Sequence, residues 1–238
     1  MFEVLPQLPA DPILGLSAAF KADTNPHKID LGVGVYKDEQ GHTPIFDSVA
    51  KAQTILLGKE NSKSYITPQG VQGFIDGMLQ LMLGKDSPAL LADRIAAVQA
   101  PGGCGALRIL SELIKRCDEK TTVWVSDPTW ANHIPLIGNA GLAIQTYPYF
   151  DKTNASINFD AMVECLGQVK KGDVVLLHGC CHNPTGADLT KEQWQVVLEL
   201  AQKTGFIPFV DTAYQGFGDG LEEDAYGMRL LVNNLPEV

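Results

Sequence analysis

Short apolar runs alternate with helix-period segments through the last two thirds of the chain, and that alternation predicts an α/β fold. Five runs have strand length and composition: 95–101 (IAAVQAP), 121–127 (TTVWVSD), 142–150 (LAIQTYPYF), 173–179 (DVVLLHG) and 206–211 (FIPFVD). Several are apolar without a period of two. That pattern belongs to strands covered on both faces, so a mostly parallel sheet with helices on both sides is expected. Helices are expected beside the strands, near 103–117, 130–139, 159–170, 190–204 and 221–233.

Before that region the chain is less regular. Residues 1–11 carry Pro6 and Pro9 and no period, and read as an extended arm. Asp11-Pro12 supplies an N-cap and a proline at the first helical position, and Ile13, Leu16 and Phe20 continue a helical stripe towards Asn25-Pro26. Residues 29–36 (IDLGVGVY) read as a glycine-interrupted strand or extended segment. Thr43-Pro44 opens a further helix through Val49, Ala52, Ile55 and Leu56, and another runs from Gly70 to Leu83. In 103–117, residues Ala106, Ile109, Leu110, Leu113, Ile114 and Cys117 recur at helical spacing opposite Arg108, Glu112 and Lys115, so that stripe is expected to pack on the sheet. There is no repeat, low-complexity run or linker. The organisation expected is an N-terminal segment, 1–43, followed by one large domain, 44–238.

With 238 residues, 45% of them hydrophobic, a core forms without disulfide or metal staples. Lys and Arg number 18 against 28 Asp and Glu, a net charge of −10, which repels phosphate backbones and anionic lipid. Nucleic acid and membrane are therefore not expected partners; a small anion held by backbone N–H groups stays open. Five cysteines (104, 117, 165, 180, 181), an odd number behind an N-terminus without signal-peptide character, indicate a reducing compartment, and the cytoplasm is expected. No run approaches the length of a membrane span.

Ligands of open α/β sheets bind beyond the carboxyl ends of the strands, and four such places are polar. Pro101-Gly102-Gly103-Cys104-Gly105 suits a phosphate at a helix N-terminus, and equally a tight strand-to-helix turn. In Ser126–His133, Trp130 suits stacking on a flat ring, with a core tryptophan as the plainer reading. His178–Gly186 (HGCCHNPTG) holds two Cys and two His, yet adjacent cysteines lack zinc-ligand spacing, so no metal is expected; Asn183 in its turn offers a donor amide. Asp211 ends an apolar strand, where a carboxylate wants a cationic partner or caps a helix, and Tyr214 follows three residues on.

These runs, with DPILGL and LGVGVYKDE nearer the N-terminus, resemble the class I aspartate and aromatic-amino-acid aminotransferases that use pyridoxal 5′-phosphate (PLP). The likeness spans nearly the whole chain in the family's order, and SDPTW, NPTGADLT and the tract 214–226 look closer to the aromatic branch. It implies PLP-dependent transferase fold type I, with an incomplete large domain and an N-terminal piece of the small domain. It implies transfer of an amino group between an aromatic or acidic L-amino acid and a 2-oxo acid such as 2-oxoglutarate, in a homodimer. Asp211 matches the partner of the pyridine nitrogen, Tyr214 and Asn183 the groups on the phenolic oxygen, and Trp130 the ring-stacking residue near the substrate carboxylate. His133 matches a residue behind the aspartate. Gly102, Gly103 and Cys104 match the phosphate cradle, Tyr65 a tyrosine reaching the neighbouring subunit's phosphate, and Gly34 a backbone position at the substrate.

Two departures stand out. Cys104 occupies a position where relatives carry Thr or Ser, a weaker donor in the cradle. The chain also stops before the family's Ser-x-Ser-Lys segment, so the coenzyme-bonding lysine, two substrate arginines and most of the small domain are not in it. The expectation is the N-terminal part of a longer transaminase; the alternative is an inactive fragment that at most binds PLP non-covalently. A dehydrogenase reading fails for want of G-x-G-x-x-G.

Overall fold

The structure, a computed structural model, describes residue 3, residues 12–29 and residues 34–238. The chain divides into two compact units, Met1–Ser64 and Tyr65–Val238. In the first, α1 (Pro12–Ala22) begins on its proline as expected. Lys28 Nζ donates to the carbonyls of Phe20 at 2.6 Å and Asp23 at 2.7 Å, satisfying groups that the helix end leaves open. α2 (Asp47–Lys59) starts later than Thr43-Pro44 suggested: Phe46 is extended at the N-cap, and Asp47 supplies the acidic first turn that the helix dipole favours. No residue of α2 is buried. The arm expected over 1–11 lies outside the described residues except for residue 3, as do residues 30–33 of the expected strand or extended segment; residues 34–36 belong to neither helix nor strand.

The second unit runs α3 (Gln72–Leu83), α4 (Pro88–Leu91), α5 (Gly102–Cys117), β1 (Thr122–Asp127), α6 (His133–Gly138), β2 (Ala143–Pro148), β3 (Phe150–Asp151), β4 (Ser156–Ile157), α7 (Phe159–Leu166), β5 (Val174–His178), α8 (Lys191–Thr204), β6 (Ile207–Asp211) and α9 (Tyr226–Asn234). Four strands form an all-parallel sheet in the order β2-β1-β5-β6. Alternate residues of β5 divide between two cores. Val174 and Leu176 join Val123, Val125, Leu107 and Ile137 on the α5–α6 side, and Val175 and Leu177 join Met162, Leu166, Trp194, Val197 and Leu231 on the α7–α8–α9 side. Each such aliphatic side chain contributes about 1.5–3 kcal/mol by leaving water, which makes both faces of the sheet self-supporting. α8 is bounded by a Thr190–Gln193 capping box and by Gly205, left-handed at φ 80°, where a Cβ would stand 2.9 Å from the Lys171 side chain.

Four expectations need correction. Residues 95–101 join no ladder among the described residues; Gln99 instead donates its N–H to the Gln69 carbonyl at 2.7 Å and accepts the Val71 N–H at 2.9 Å on its side chain. A strand needs a neighbour with free N–H and C=O groups, and here the turn before α3 takes them. The run 142–150 is broken: β2 ends at Pro148, which has no N–H, and Phe150-Asp151 turns away to pair antiparallel with Ser156-Ile157. α5 presents a different face to the sheet than its apolar stripe suggests. Leu107 and Ser111 are buried, while Ile109, Leu110 and Leu113 remain 44%, 40% and 54% exposed. The small Ser111, its hydroxyl donating to the Leu107 carbonyl at 2.7 Å, lets the helix lie close. The helix expected over 221–233 begins at Tyr226, because Asp224 is engaged in the preceding loop.

Candidate active site

Parallel strands place their carboxyl ends on one edge, and the turns after β1, β5 and β6 meet there. A cleft at this edge is lined by Gly103, Leu107, Trp130, His178, Cys180, Asn183, Asp211, Ala213 and Tyr214. Five of the residues singled out from the sequence, Gly103, Trp130, Asn183, Asp211 and Tyr214, are thus brought together. Gly102 and Cys104 flank Gly103 in the first turn of α5 without lining the cleft. Gly102 takes φ +71°, so the run is a tight turn and a helix N-terminus at once. Tyr65 is fully exposed and lies off the cleft of its own chain, and Gly34 belongs to the first unit.

Asp211 caps no helix; α9 starts fifteen residues later. Its Oδ2 lies 2.9 Å from Nε2 of His133, which is fully buried, and its other oxygen is engaged by no described residue. Behind the cleft the contacts continue. Thr129 Oγ1 lies 2.8 Å from His133 Nδ1 and 3.3 Å from His178 Nε2, and His178 Nδ1 accepts the backbone N–H of Asn183 at 3.3 Å. His182 bonds Ser126 at 3.0 Å and Thr185 at 2.9 Å and stacks on Tyr149 with ring centres 4.0 Å apart. Burial pushes His178 down to about 3, with the neighbouring His182 and His133 adding to the effect and Asp211 opposing it. Burial likewise pushes His182 down to about 4. Trp130 meets His133 edge-on at 5.3 Å and packs against the core below, so it is half core and half cleft wall.

The loop after Asp211 is fixed from below by Asp224, whose two oxygens accept the N–H groups of Gly216, Gly218, Asp219 and Gly220. Burial works against its charge, but those N–H groups prevail and hold the carboxyl below the usual range. Cys180, Cys181 and Asp224 place ligand atoms within 4.8 Å of one another. Both carboxylate oxygens are already taken, and burial with nearby acidic groups pushes Cys180 up to about 12. Thr212, whose buried hydroxyl has no partner among the described residues, presses on Gly179, where a Cβ would stand 2.5 Å from it. A larger hollow of about 750 Å³ lies between the end of α3, the turn to α4 and α9, but none of the residues above line it.

The sequence profile described as aminotransferase class I and II matches residues 26–238. The chain belongs to this aminotransferase family. It is 48% identical over 238 residues to the aspartate aminotransferase of Haemophilus influenzae, covering all of this chain and 60% of that protein. It is 47% identical over 237 residues to the aromatic-amino-acid aminotransferase of Pseudomonas aeruginosa, covering 59% of it. An aromatic aminotransferase of Burkholderia pseudomallei, solved covalently bound to pyridoxal phosphate, superposes at a TM-score of 0.92 with 41% identity over 97% of this chain and 58% of that one. The chain therefore spans about 60% of the length of these aminotransferases. Its fold is that of the PLP-dependent aminotransferases. No helix among the described residues is long and apolar enough to cross a membrane.

His178 and Cys180, which line the cleft, and Thr129, which bonds His178 behind it, were not singled out from the sequence as site residues. The polar character of the runs that contain them was visible. The pairing of residue 129 with residue 178 depends on β1 lying beside β5, which no local pattern encodes.

Proposed function

We propose that the protein is an aminotransferase that moves an amino group between an aromatic or acidic L-amino acid and a 2-oxo acid such as 2-oxoglutarate, with PLP as coenzyme. One observation carries this reading: a carboxylate at the end of β6, backed by a buried histidine, with its second oxygen engaged by no described residue, in the lining of a cleft walled by an indole. The donor set fits the coenzyme from end to end. Asp211 would accept the ring-nitrogen N–H and keep it protonated, Trp130 would cover the ring face, and Tyr214 and Asn183 would hydrogen-bond the phenolic oxygen. The Gly102 N–H already donates to the Ala100 carbonyl at 2.9 Å, so the N–H groups of Gly103 and Cys104 at the start of α5 would hold the phosphate, with Gly102 shaping the turn. When bound, the coenzyme supplies an electron sink for the substrate carbon. The chain's own residues bind and orient the ring, keep its nitrogen charged and limit water below it. No lysine among the described residues lines the cleft, so the reading gives this chain non-covalent contacts.

The rest of the reading follows the family. Residues 1–43 would be the arm and small-domain segment and 44–238 the coenzyme domain, in a cytoplasmic homodimer. Tyr65, fully exposed, would reach the partner's phosphate, and Gly34 would meet the substrate. Identities to relatives named for aspartate and for aromatic substrates are level, at 48% and 47%, so both substrate classes are retained.

The test uses the protein as its native gene encodes it, supplied with PLP, 2-oxoglutarate and either aspartate, phenylalanine or tyrosine. Glutamate formation with at least one donor is expected. Retained PLP without glutamate from any of the three would overturn the proposal.

A further inference from the structure

We infer that the backbone N–H of Asn183 sets, through His178 and Thr129, which nitrogen of His133 carries the proton, and thereby holds Asp211 as a hydrogen-bond acceptor; its consequence for the coenzyme rests on the function proposed above. The direction follows by elimination along four contacts. A backbone N–H only donates, so His178 Nδ1, 3.3 Å from the Asn183 nitrogen, carries no proton. The neutral ring then has its proton on Nε2, which faces Thr129 Oγ1 at 3.3 Å and donates to it. The hydroxyl, having accepted from His178, has one acceptor left among the described residues, His133 Nδ1 at 2.8 Å. His133 therefore bears its proton on Nε2 and gives that hydrogen bond to Asp211 Oδ2 at 2.9 Å.

The arrangement is shielded at its inner end, where His133 is fully buried, while His178 is partly buried and lines the cleft. Burial also keeps His178 uncharged, consistent with an acceptor at Nδ1. A doubly protonated His133 would put a second donor against Oγ1 and leave the threonine hydroxyl proton without an acceptor. His178 and Thr129 are thus positioning residues. Asn183 lines the cleft while its main-chain N–H orders the groups that support Asp211, so one residue serves both.

The test is nuclear magnetic resonance of the full chain labelled with ¹⁵N in histidine, which reads the protonation of each ring nitrogen directly. The expected result at pH 7.5 is Nε2–H, with Nδ1 bare, for both His133 and His178. Thr129→Val removes the donor to His133 Nδ1 and should replace the single state by a mixture or by the doubly protonated ring, and Thr129→Ser should restore the single state. PLP binding, followed separately by fluorescence, should be about tenfold weaker in Thr129→Val and normal in Thr129→Ser. A proton on His133 Nδ1 in the unaltered chain, or an unchanged His133 in Thr129→Val, overturns the inference. Absence of PLP binding with the expected histidine states would count against the proposed function and leave the proton order standing.

Discussion

Removing the Asp224 carboxylate should cost about 3 kcal/mol of stability. Its Oδ2 accepts from Gly216 at 2.8 Å and Gly218 at 3.0 Å, and its Oδ1 from Asp219 at 2.8 Å and Gly220 at 3.4 Å. The loop folds tightly on the side chain: a Cβ at Gly218 would stand 2.7 Å from Oδ1. A hydrogen bond to a charged acceptor contributes about 1.5–3 kcal/mol net, while N–H groups near the surface recover water when their partner is deleted. Counting two of the four bonds at the lower figure gives the stated value. Asp224→Ala should therefore lower the urea midpoint of the folded protein by that amount, and Asp224→Asn, which retains one acceptor oxygen, should fall between. The loop begins just beyond Tyr214, so the same change should loosen PLP retention. A loss below about 1 kcal/mol in Asp224→Ala would refute the reasoning, because it would mean that water replaces the carboxylate at little cost.

Three other outcomes are expected. Gly227→Ala would place a Cβ 2.2 Å from the ring of Trp194, itself 4% exposed, so it should destabilise by about 2 kcal/mol or more, where helix propensity alone favours alanine by about 1; calorimetric melting decides the sign. Leu176→Ala, at a fully buried position, should cost about 3 kcal/mol by urea titration, and a cost under 1 would mean that the α5–α6 side collapses around the gap. His178 and His182 are held below the ordinary 6.5, at about 3 and about 4, so the unfolded chain takes up protons that the folded one refuses. Stability should be full above about pH 6.5 and decline as pH falls towards 4, and equal urea midpoints at pH 7.5 and 5 would contradict the burial of the two rings.

The central strands were legible because burial on both faces demands an unbroken apolar run, as in Val174–Leu177 and Val123–Val125. α8 was legible because Thr190 and Gly205 mark its ends in local chemistry. Residues 95–101 misled because an apolar run reports burial, and the ladder depends on a partner that the run does not contain. α5 misled because it is apolar on more than one side, and the choice of face was made by the small Ser111. In the site, Asp211, Trp130, Asn183 and Tyr214 were legible as polar or aromatic residues just after strands. The Thr129–His178 contact was not, since it spans 49 positions and exists only once the strands are in register.

β5 sends four successive buried side chains alternately into the two cores, and it is bonded on one side to β1 and on the other to β6. Neither layer can come apart without disturbing it, so the amides of Val174–Leu177 should exchange with deuterium only through global opening, later than those of α2 or of the terminal turns. His178 ends this same strand. The group that orders the protons behind the cleft is therefore suspended from the slowest-exchanging segment of the chain, and local fraying elsewhere leaves its position untouched.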